Sequence, residues 1–174
     1  MSQVTIRAFD EARDAAGVSA LFERVNRELA PPHLTEDFER YIVLARREEI
    51  DRITTYYSGA GRGFWIGEDV RGTLMGTYGL EPAGGEDALE LRRMYVAPEA
   101  RRRGIARILL SDAQERGRAF GFSRMVLSTS EIQVAALALY AEAGFMLMRE
   151  ELAEAATNKA VGGGLRRFYF EKEL

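Results

Sequence analysis

A basic turn with small residues is the segment of this chain whose residue types point most clearly to chemistry. It runs through Arg101, Arg102, Arg103, Gly104, Ile105, Ala106 and Arg107. Small residues let an anion approach the backbone, and a helix that begins here offers N–H groups without internal partners. Several converging donors suit a pyrophosphate better than a single carboxylate. The alternative is a solvated arginine loop in which Gly104 only relieves a tight turn.

Most other chemistries lack the residues that they need. The chain has no cysteine and a single histidine, His33, which we expect at the surface. Thiolate nucleophiles, disulfides and cysteine zinc sites are therefore excluded, and almost no ligand set remains for a metal. Neither the Walker pattern nor Gly-x-Gly-x-x-Gly occurs in the sequence, so nucleoside triphosphates and NAD lack their usual phosphate cradle.

The net charge argues against nucleic acid as the partner of the basic turn, and the lack of a long apolar run argues against a membrane. The formal charge is -3 at pH 7, whereas charge-driven nucleic-acid binding needs a net basic face. A nucleic-acid-binding domain built on the arginines at 92–93, 101–103 and 166–167 is therefore the weaker alternative. No run of about 18 apolar residues spans a bilayer and no signal peptide is recognisable, so we expect a cytoplasmic protein.

The elements that position this turn follow from the spacing of apolar residues. Alternation predicts strands at 4–9, 63–68, 73–80, 88–96, 125–127, 145–149 and 166–172. Helical spacing predicts helices over 18–29, 35–45, 105–120 and 132–143. The polar tail of the second helix, 46–52, is expected in solvent, and the apolar face of the third helix includes Ile108 and Phe120.

The order of these elements predicts an α+β fold in a single domain, residues 1–174. One strand precedes two helices and three strands; a helix, a strand, a second helix and two strands follow. The sheet is expected to be mixed and mostly antiparallel, with about seven strands and a central parallel pair that splays open. Ligands bind at the carboxyl ends of such strands, which places the turn after Val96 in the expected position.

In this context the sequence resembles the GNAT superfamily of N-acetyltransferases, over roughly residues 4–150 and most strongly from Glu90 to Phe145. The pattern Arg101-x-x-Gly104-x-Ala106 is similar to the family's loop after the fourth strand. The strand end Met94-Tyr95-Val96 with its Pro98-Glu99 exit is also similar. A third likeness is LALYAEAGF, Leu137 to Phe145, which matches a family helix that carries a tyrosine and ends in Gly-Phe.

The resemblance implies acetyl-CoA as a cosubstrate, without a metal, and it implies a set of cofactor-binding residues. These are Met94, Tyr95 and Val96 for the pantetheine arm, the turn from Arg101 to Arg107 for the pyrophosphate, and Gln133 and Tyr140. Ala106 stands where a second glycine is commoner, and Gln133 where an asparagine usually contacts pantetheine. Ser130-x-x-Gln133 also matches a helix capping box, so Gln133 has either role.

Two catalytic residues follow from the same resemblance. Tyr140 is placed beside the thioester sulfur, where it can protonate the departing thiolate, although its position on an apolar stripe also fits a core residue. Glu90 is the candidate base that takes a proton from the attacking amine; ordered water and an exposed strand glutamate are the alternatives. The chain has no cysteine for an acyl-enzyme, so transfer is expected to be direct.

The acceptor and the partners are less defined. We expect a primary amine of a small molecule or a protein, selected by segments 29–51, 58–62 and 151–165. The acidic composition suits a small cationic amine, and a protein lysine or N-terminus is equally allowed. The alternative function is a noncatalytic acetyl-CoA-binding sensor. A homodimer could form through the strand RRFYFEK, whose aromatic pattern would otherwise expose an edge.

Overall fold

A computed structural model describes residues 3–85 and 87–174 of the chain. Its strands are β1 (Thr5–Ala8), β2 (Gly63–Glu68), β3 (Leu74–Pro82), β4 (Ala88–Val96), β5 (Arg124–Ser130), β6 (Met146–Ala153) and β7 (Leu165–Glu173). Its helices are α1 (Glu11–Leu29), α2 (Thr35–Glu48), α3 (Ile53–Tyr56), α4 (Ile105–Ala119) and α5 (Val134–Glu142). This order agrees with the prediction apart from α3, a single turn that the apolar spacing does not reveal.

The seven strands of the described residues form one sheet in the order β1-β2-β3-β4-β5-β7-β6. Neighbouring strands are antiparallel except β4 and β5, which are parallel. This mixed, mostly antiparallel sheet confirms the predicted fold class. The expected exposure of the last strand is wrong, because the chain returns after β6 and inserts β7 between β5 and β6. The edge on this side of the sheet is therefore β6, and β1 forms the opposite edge.

The parallel pair opens partway along its length. Pairing between β4 and β5 ends at Glu90 and Val126, although β4 continues to Val96 and β5 continues to Ser130. Beyond this point the two strands diverge, as predicted, and backbone groups on their facing sides have no ladder partner. The opening lies at the carboxyl ends of both strands, which is where ligands bind in sheets of this kind.

The main core joins the middle of the sheet to α1 and α4. Its fully buried members include Tyr78 and Leu80 of β3, Leu89 of β4, and Leu109 and Ala113 of α4. The apolar face of α4 is narrower than predicted, since Ile108 and Phe120 are 39% and 43% exposed. Packing of α4 on the sheet fixes its N-terminus beside the end of β4.

The tail of α2 is the clearest departure from the prediction. Residues 46–52 were expected in solvent, yet Glu49 is 0% exposed and Ile50 is 4% exposed. The helix ends at Glu48, and a 3₁₀ turn, Ile50–Arg52, folds the chain back onto the sheet. Glu49 is buried because two arginines of β4 lie opposite its carboxylate, as described below.

Two further features concern the class of function. Across residues 3–85 and 87–174, every helix is either too short or too polar to cross a bilayer. The same residues contain no group of three or more His, Asp or Glu side chains arranged to hold a metal ion.

His33 is exposed in the 3₁₀ turn Pro32–Leu34, in agreement with its expected surface position. The cytoplasmic location stays a prediction.

Candidate active site at the opening between two strands

Two cavities meet where β4 and β5 diverge. The first, the long groove, has a volume of about 880 Å³ and lies between the end of α1, the end of β4, the basic turn and α5. The second, the inner cavity, has a volume of about 100 Å³ and is lined by β4, β5, β7 and the ends of α1 and α2. The residues that border both are Leu29, Met94, Tyr95, Ile132, Gln133 and Tyr140.

The basic turn brings backbone donors to the long groove. Arg102 and Gly104 have left-handed backbones, with φ of 61° and 77°, and Gly104 precedes α4 without a side-chain cap. The N–H groups of the first helical turn have no intrahelical partner, and the helix dipole favours negative charge there. A Cβ at position 104 would meet no atom within 4 Å, so the space beside the turn is open. This geometry suits a phosphate group.

Arginines of the turn are held by weak surface ion pairs. Arg101 lies 2.6 Å from Glu28, and both side chains are more than 40% exposed. Arg107 lies 2.6 Å from Glu142, with exposures of 71% and 60%. Exposed pairs of this kind contribute about 0–1 kcal/mol. A bound pyrophosphate can therefore replace either carboxylate at small cost.

The structure brings most of the predicted cofactor-binding residues to the long groove. Those that line it are Met94, Tyr95, Val96, Arg101, Arg102, Gly104, Ile105, Ala106, Arg107, Gln133 and Tyr140. Arg103 is exposed at the same turn and lies outside this lining. The wall formed by α1, with Val25, Glu28 and Leu29, was not predicted, because its apolar spacing indicates only core packing.

A bulge in β4 shapes the junction of the two cavities. Opposite Thr77 and Gly79 of β3, the pairing passes from Tyr95 to Arg92, so β4 carries one extra residue. Arg93, within the bulge, has a φ of 52°, which is uncommon for a residue with a side chain. Bulges bend the strand that contains them. Here the bend accompanies the divergence of β4 from β5.

Tyr140 lies at the junction with its ring in the core. The side chain is 6% exposed, and its ring centroid lies 5.8 Å from that of Phe145 and 6.2 Å from that of Phe170. Burial raises the pKa of the Tyr140 hydroxyl above its ordinary value near 10. The hydroxyl is therefore protonated at neutral pH, which is the state required of an acid. Tyr140 therefore packs in the core and also borders both cavities.

Glu90 lies at the last paired position of β4 and lines the inner cavity. Its side chain is 16% exposed, and its carboxylate lies 2.7 Å from the ammonium group of Lys159. Lys159 comes from the loop between β6 and β7 and also lies 3.6 Å from Glu81. The carboxylate of Glu90 is thus held in an ion pair at the edge of the inner cavity. It lies about one residue along β4 from the point where β4 and β5 separate.

Gln133 forms half of the predicted capping box. Its Oε1 accepts hydrogen bonds from the Thr129 hydroxyl at 2.7 Å and from the backbone N–H of Ser130 at 3.1 Å. The reciprocal bond, from the backbone N–H of Gln133 to the Ser130 hydroxyl, is missing, because this N–H donates to the Ser130 carbonyl, and α5 begins later, at Val134. The amide also borders both cavities. Gln133 therefore orders the turn before α5 while its side chain faces the junction.

Beneath the inner cavity lies a charged floor, formed by Glu49, Arg92 and Arg93. The carboxylate of Glu49 lies 2.7 Å from Arg92 and 2.5 Å from Arg93, and all three side chains are at most 4% exposed. Tyr57 donates a hydrogen bond to Glu49 at 2.9 Å, and Arg93 donates one to Tyr41 at 2.6 Å. Buried charges are stable only when they are paired and hydrogen-bonded in this way.

The chain is similar to known proteins both in sequence and in fold. Residues 19–145 match the model of the acetyltransferase (GNAT) family. The chain is 36% identical over 98 residues to the uncharacterized N-acetyltransferase YjgM of Escherichia coli (strain K12), covering 55% of this chain and 58% of that protein. It is 36% identical over 111 residues to N-acetyltransferase 8B of Homo sapiens, covering 61% and 48% respectively. The chain thus spans about half the length of these relatives.

Solved structures extend the likeness in fold over the whole chain. An acetyltransferase of the GNAT family from Streptococcus pneumoniae has a TM-score of 0.74 at 20% identity, covering 99% of this chain and 100% of that one. A phosphinothricin acetyltransferase of the GNAT superfamily from Sinorhizobium meliloti, solved in complex with acetyl-CoA, has a TM-score of 0.74 at 20% identity, covering 100% and 89%. At this level of identity the likeness concerns the fold alone.

Proposed function

Since the chain belongs to the acetyltransferase (GNAT) family, we propose that it transfers the acetyl group of acetyl-CoA directly to a primary amine of a small molecule or protein. The observation that carries this proposal is the junction of the long groove and the inner cavity at Tyr140. A cosubstrate in the groove and an amine in the cavity would meet there. Holding two reactants in this way supplies a large part of the rate enhancement in such reactions.

The long groove offers donors suited to coenzyme A and a volume of about 880 Å³. The uncapped N-terminus of α4, with Arg101 and Arg107, would hold the pyrophosphate. Backbone groups of β4 from Met94 to Val96, which have no partner on β5, would bind the amides of the pantetheine arm. The bound thioester supplies an activated acyl group to the junction. Gln133 lies where its amide can assist in positioning.

Residues at the junction provide for the two proton transfers. An alkylammonium with a pKa of about 10 must lose a proton before it attacks. Glu90 is the proposed base, directly or through ordered water, and Lys159 holds its carboxylate at the cavity edge. Tyr140 is the proposed acid for the departing thiolate, because burial keeps its hydroxyl protonated.

The test is titration calorimetry with acetyl-CoA and coenzyme A, followed by a screen of amines for release of free thiol. We expect both ligands to bind and at least one amine class to be acetylated. The double variant Arg101→Ala/Arg107→Ala should weaken coenzyme A binding at least tenfold, since each charged hydrogen bond contributes about 1.5–3 kcal/mol before the surface pairs are subtracted.

The matched control is Arg118→Ala, an exposed arginine in the last turn of α4, far from the groove lining. It should leave coenzyme A affinity unchanged. Absence of any coenzyme A binding would refute the proposal. Tight acetyl-CoA binding without turnover across the amine panel would favour the noncatalytic sensor instead.

The homodimer expected from the sequence also remains a prediction, and the structure changes its place. β7 is paired on both sides, whereas β6 forms the sheet edge. Exposed apolar residues lie on this edge: Met146, Leu147, Met148 and Leu152. An apolar edge strand with free backbone groups is the surface on which a second copy could pair.

A further inference from the structure

Arg167 of β7 is a buried cation that forms no ion pair with any of the described residues. It is 9% exposed and lines the inner cavity, and its Nη2 donates a hydrogen bond to the Ser128 hydroxyl at 2.8 Å. Among residues 3–85 and 87–174, no carboxylate lies within 4.0 Å of its guanidinium. The other cations that line the inner cavity, Arg92 and Arg93 of the charged floor and Lys159, are each paired with a glutamate. A buried charge left in this state is costly.

The carboxylates near Arg167 are bonded to other groups. Glu151 is its cross-strand partner on β6, but one carboxylate oxygen accepts from Arg149 at 2.6 Å and the other from the Tyr169 hydroxyl. Glu90, across the cavity, is held by Lys159 at 2.7 Å. Glu151 is close enough to interact electrostatically with Arg167, but among the described residues no carboxylate forms an ion pair with the guanidinium, which lines the inner cavity.

A second unsatisfied group lies directly beside this arginine. Ser130 of β5 is the cross-strand partner of Arg167, so the two side chains share one face of the sheet. The Ser130 hydroxyl is buried, and within the described part of the chain it has no hydrogen-bond partner. Buried polar groups are almost always satisfied in folded proteins. Both Ser130 and Arg167 line the inner cavity.

We propose that Arg167 and Ser130 bind a carboxylate of the acceptor, so that the acceptor is an amino acid or another amine that carries a carboxylate. This inference rests on the proposed acetyl transfer. A carboxylate accepts both from a guanidinium and from a hydroxyl, which are the two donors left open here. With the carboxylate at Arg167, the amine of the same molecule extends through the cavity toward Tyr140.

The remainder of the acceptor has room in an adjoining space. An outer cavity of about 560 Å³ lies between β5, β6 and the loop before β7. It shares four wall residues with the inner cavity: Glu90, Ser128, Lys159 and Arg167. A side chain of an amino acid can therefore extend outward while its carboxylate stays at Arg167. The local charge thus favours a different acceptor from the small cationic amine that the acidic composition suggested.

The test uses acceptors that differ only at the carboxylate. Leucine, leucinamide and isopentylamine form one set, phenylalanine, phenylalaninamide and phenethylamine a second, and δ-aminovalerate with pentylamine tests an amine farther from the acid. In at least one set, kcat/KM for the carboxylate form should exceed that of the neutral forms by about 30-fold or more, as for a buried charge pair worth 2–5 kcal/mol.

Variants at position 167 assign the preference to the arginine. Arg167→Gln should reduce the preference to within about threefold, mainly by raising KM, and Arg167→Lys should restore part of it. Arg166→Gln is the matched control, because Arg166 is the exposed neighbour on β7 and pairs with Glu150 at 3.0 Å. It should leave the preference unchanged. Equal loss for all acceptors in Arg167→Gln would overturn the inference.

Failure of this inference is separable from failure of the proposed function. If amines without a carboxylate are acetylated as well as those with one, acetyl transfer stands and the carboxylate site is refuted. If no amine reacts, acetyl transfer is refuted, and binding is measured directly by calorimetry of the same amino acids with coenzyme A-loaded protein. Binding that is lost in Arg167→Gln then supports the site, and absence of binding refutes it.

Discussion

Tyr140 packs in the core through its ring and lies at the junction of the two cavities. Removal of its hydroxyl oxygen tests the second role without changing the first. Its ring contacts Phe145 and Phe170 in the core, whereas its side chain borders both cavities. Removal of the hydroxyl leaves the aromatic packing in place. The phenylalanine variant therefore tests the acid without unfolding the site.

We predict that Tyr140→Phe lowers kcat by about 100-fold, the usual contribution of a general acid, while coenzyme A affinity is unchanged. Burial raises the pKa of Tyr140, so its hydroxyl stays protonated as pH rises through neutrality. The kcat profile of the parent enzyme should therefore show no alkaline loss from this group below about pH 10. The measurement is kcat by thiol release from pH 6 to pH 9.5.

Tyr78→Phe is the control for this change. Tyr78 is also buried, but its hydroxyl bonds with Asp112 and Arg116 of α4 and lies outside both cavities. The control should retain kcat. A Tyr140→Phe enzyme with the kcat of the parent would remove the hydroxyl from the mechanism.

The carboxylate of Asp14 links α1 to β1 through Arg7. Asp14 accepts two hydrogen bonds of 2.7 Å from Arg7 and one of 2.8 Å from the backbone N–H of Asp10. The Arg7 guanidinium holds the pKa of Asp14 below its ordinary value of 3.8. A carboxyl with a lowered folded-state pKa stabilises the fold above its unfolded pKa, and this contribution is lost as pH falls.

Asp14→Asn should therefore reduce the free energy of unfolding at pH 7 by about 1–3 kcal/mol, as for hydrogen bonds to a charged group. The difference from the parent should shrink between about pH 5 and pH 2, where the parent carboxylate becomes protonated. Urea unfolding at several pH values measures both. Glu11→Gln, exposed in the same helical turn, serves as control; a difference for Asp14→Asn that is independent of pH would contradict the assignment.

The order of the elements could be predicted because its signals are local. Apolar alternation and helical spacing lie within each element, and the basic turn from Arg101 to Arg107 is contiguous in sequence. α3 was missed because four residues carry no period. The place of β7 was missed because strand order depends on pairing between distant segments, which the aromatic pattern of one strand does not encode.

The wall of the inner cavity could not be predicted for the same reason. Arg167 and Ser130 lie 37 positions apart and become neighbours only through the register of β5 and β7. The burial of Glu49 likewise depends on Arg93, which is 44 positions away. In the sequence these are ordinary polar residues near segment ends. A contiguous motif revealed the groove, whereas the inner cavity is assembled from distant parts.

The charged floor connects segments that are far apart in the chain. Glu49 follows α2, Arg92 and Arg93 belong to β4, and Arg93 also donates to the Asn158 carbonyl in the loop before β7. Arg92 reaches Glu81 of β3 at 2.8 Å. The floor therefore holds together the segments that surround the inner cavity.

We predict that Glu49→Gln lowers the free energy of unfolding by about 3–5 kcal/mol, because it leaves the buried guanidinium of Arg93 without its carboxylate and removes one of the two carboxylates paired with Arg92. Glu48→Gln, at the adjacent position where the side chain is 42% exposed, should change it by less than about 0.5 kcal/mol. Urea denaturation followed by circular dichroism measures both variants. Similar small losses in the two would show that the buried pairs contribute little.

The charged floor also limits how the acceptor specificity of this chain can evolve. Glu49 is paired with both Arg92 and Arg93, and Arg92 is also paired with Glu81. Loss of Glu49 therefore removes the carboxylate that pairs with Arg93, and loss of either arginine breaks one of the pairs around the inner cavity. Arg167 and Lys159 lie in the wall, on β7 and in a loop, outside this mutual dependence. Single substitutions at Arg167 or Lys159 can therefore change which acceptor binds. Glu49, Arg92 and Arg93 are expected to be retained together.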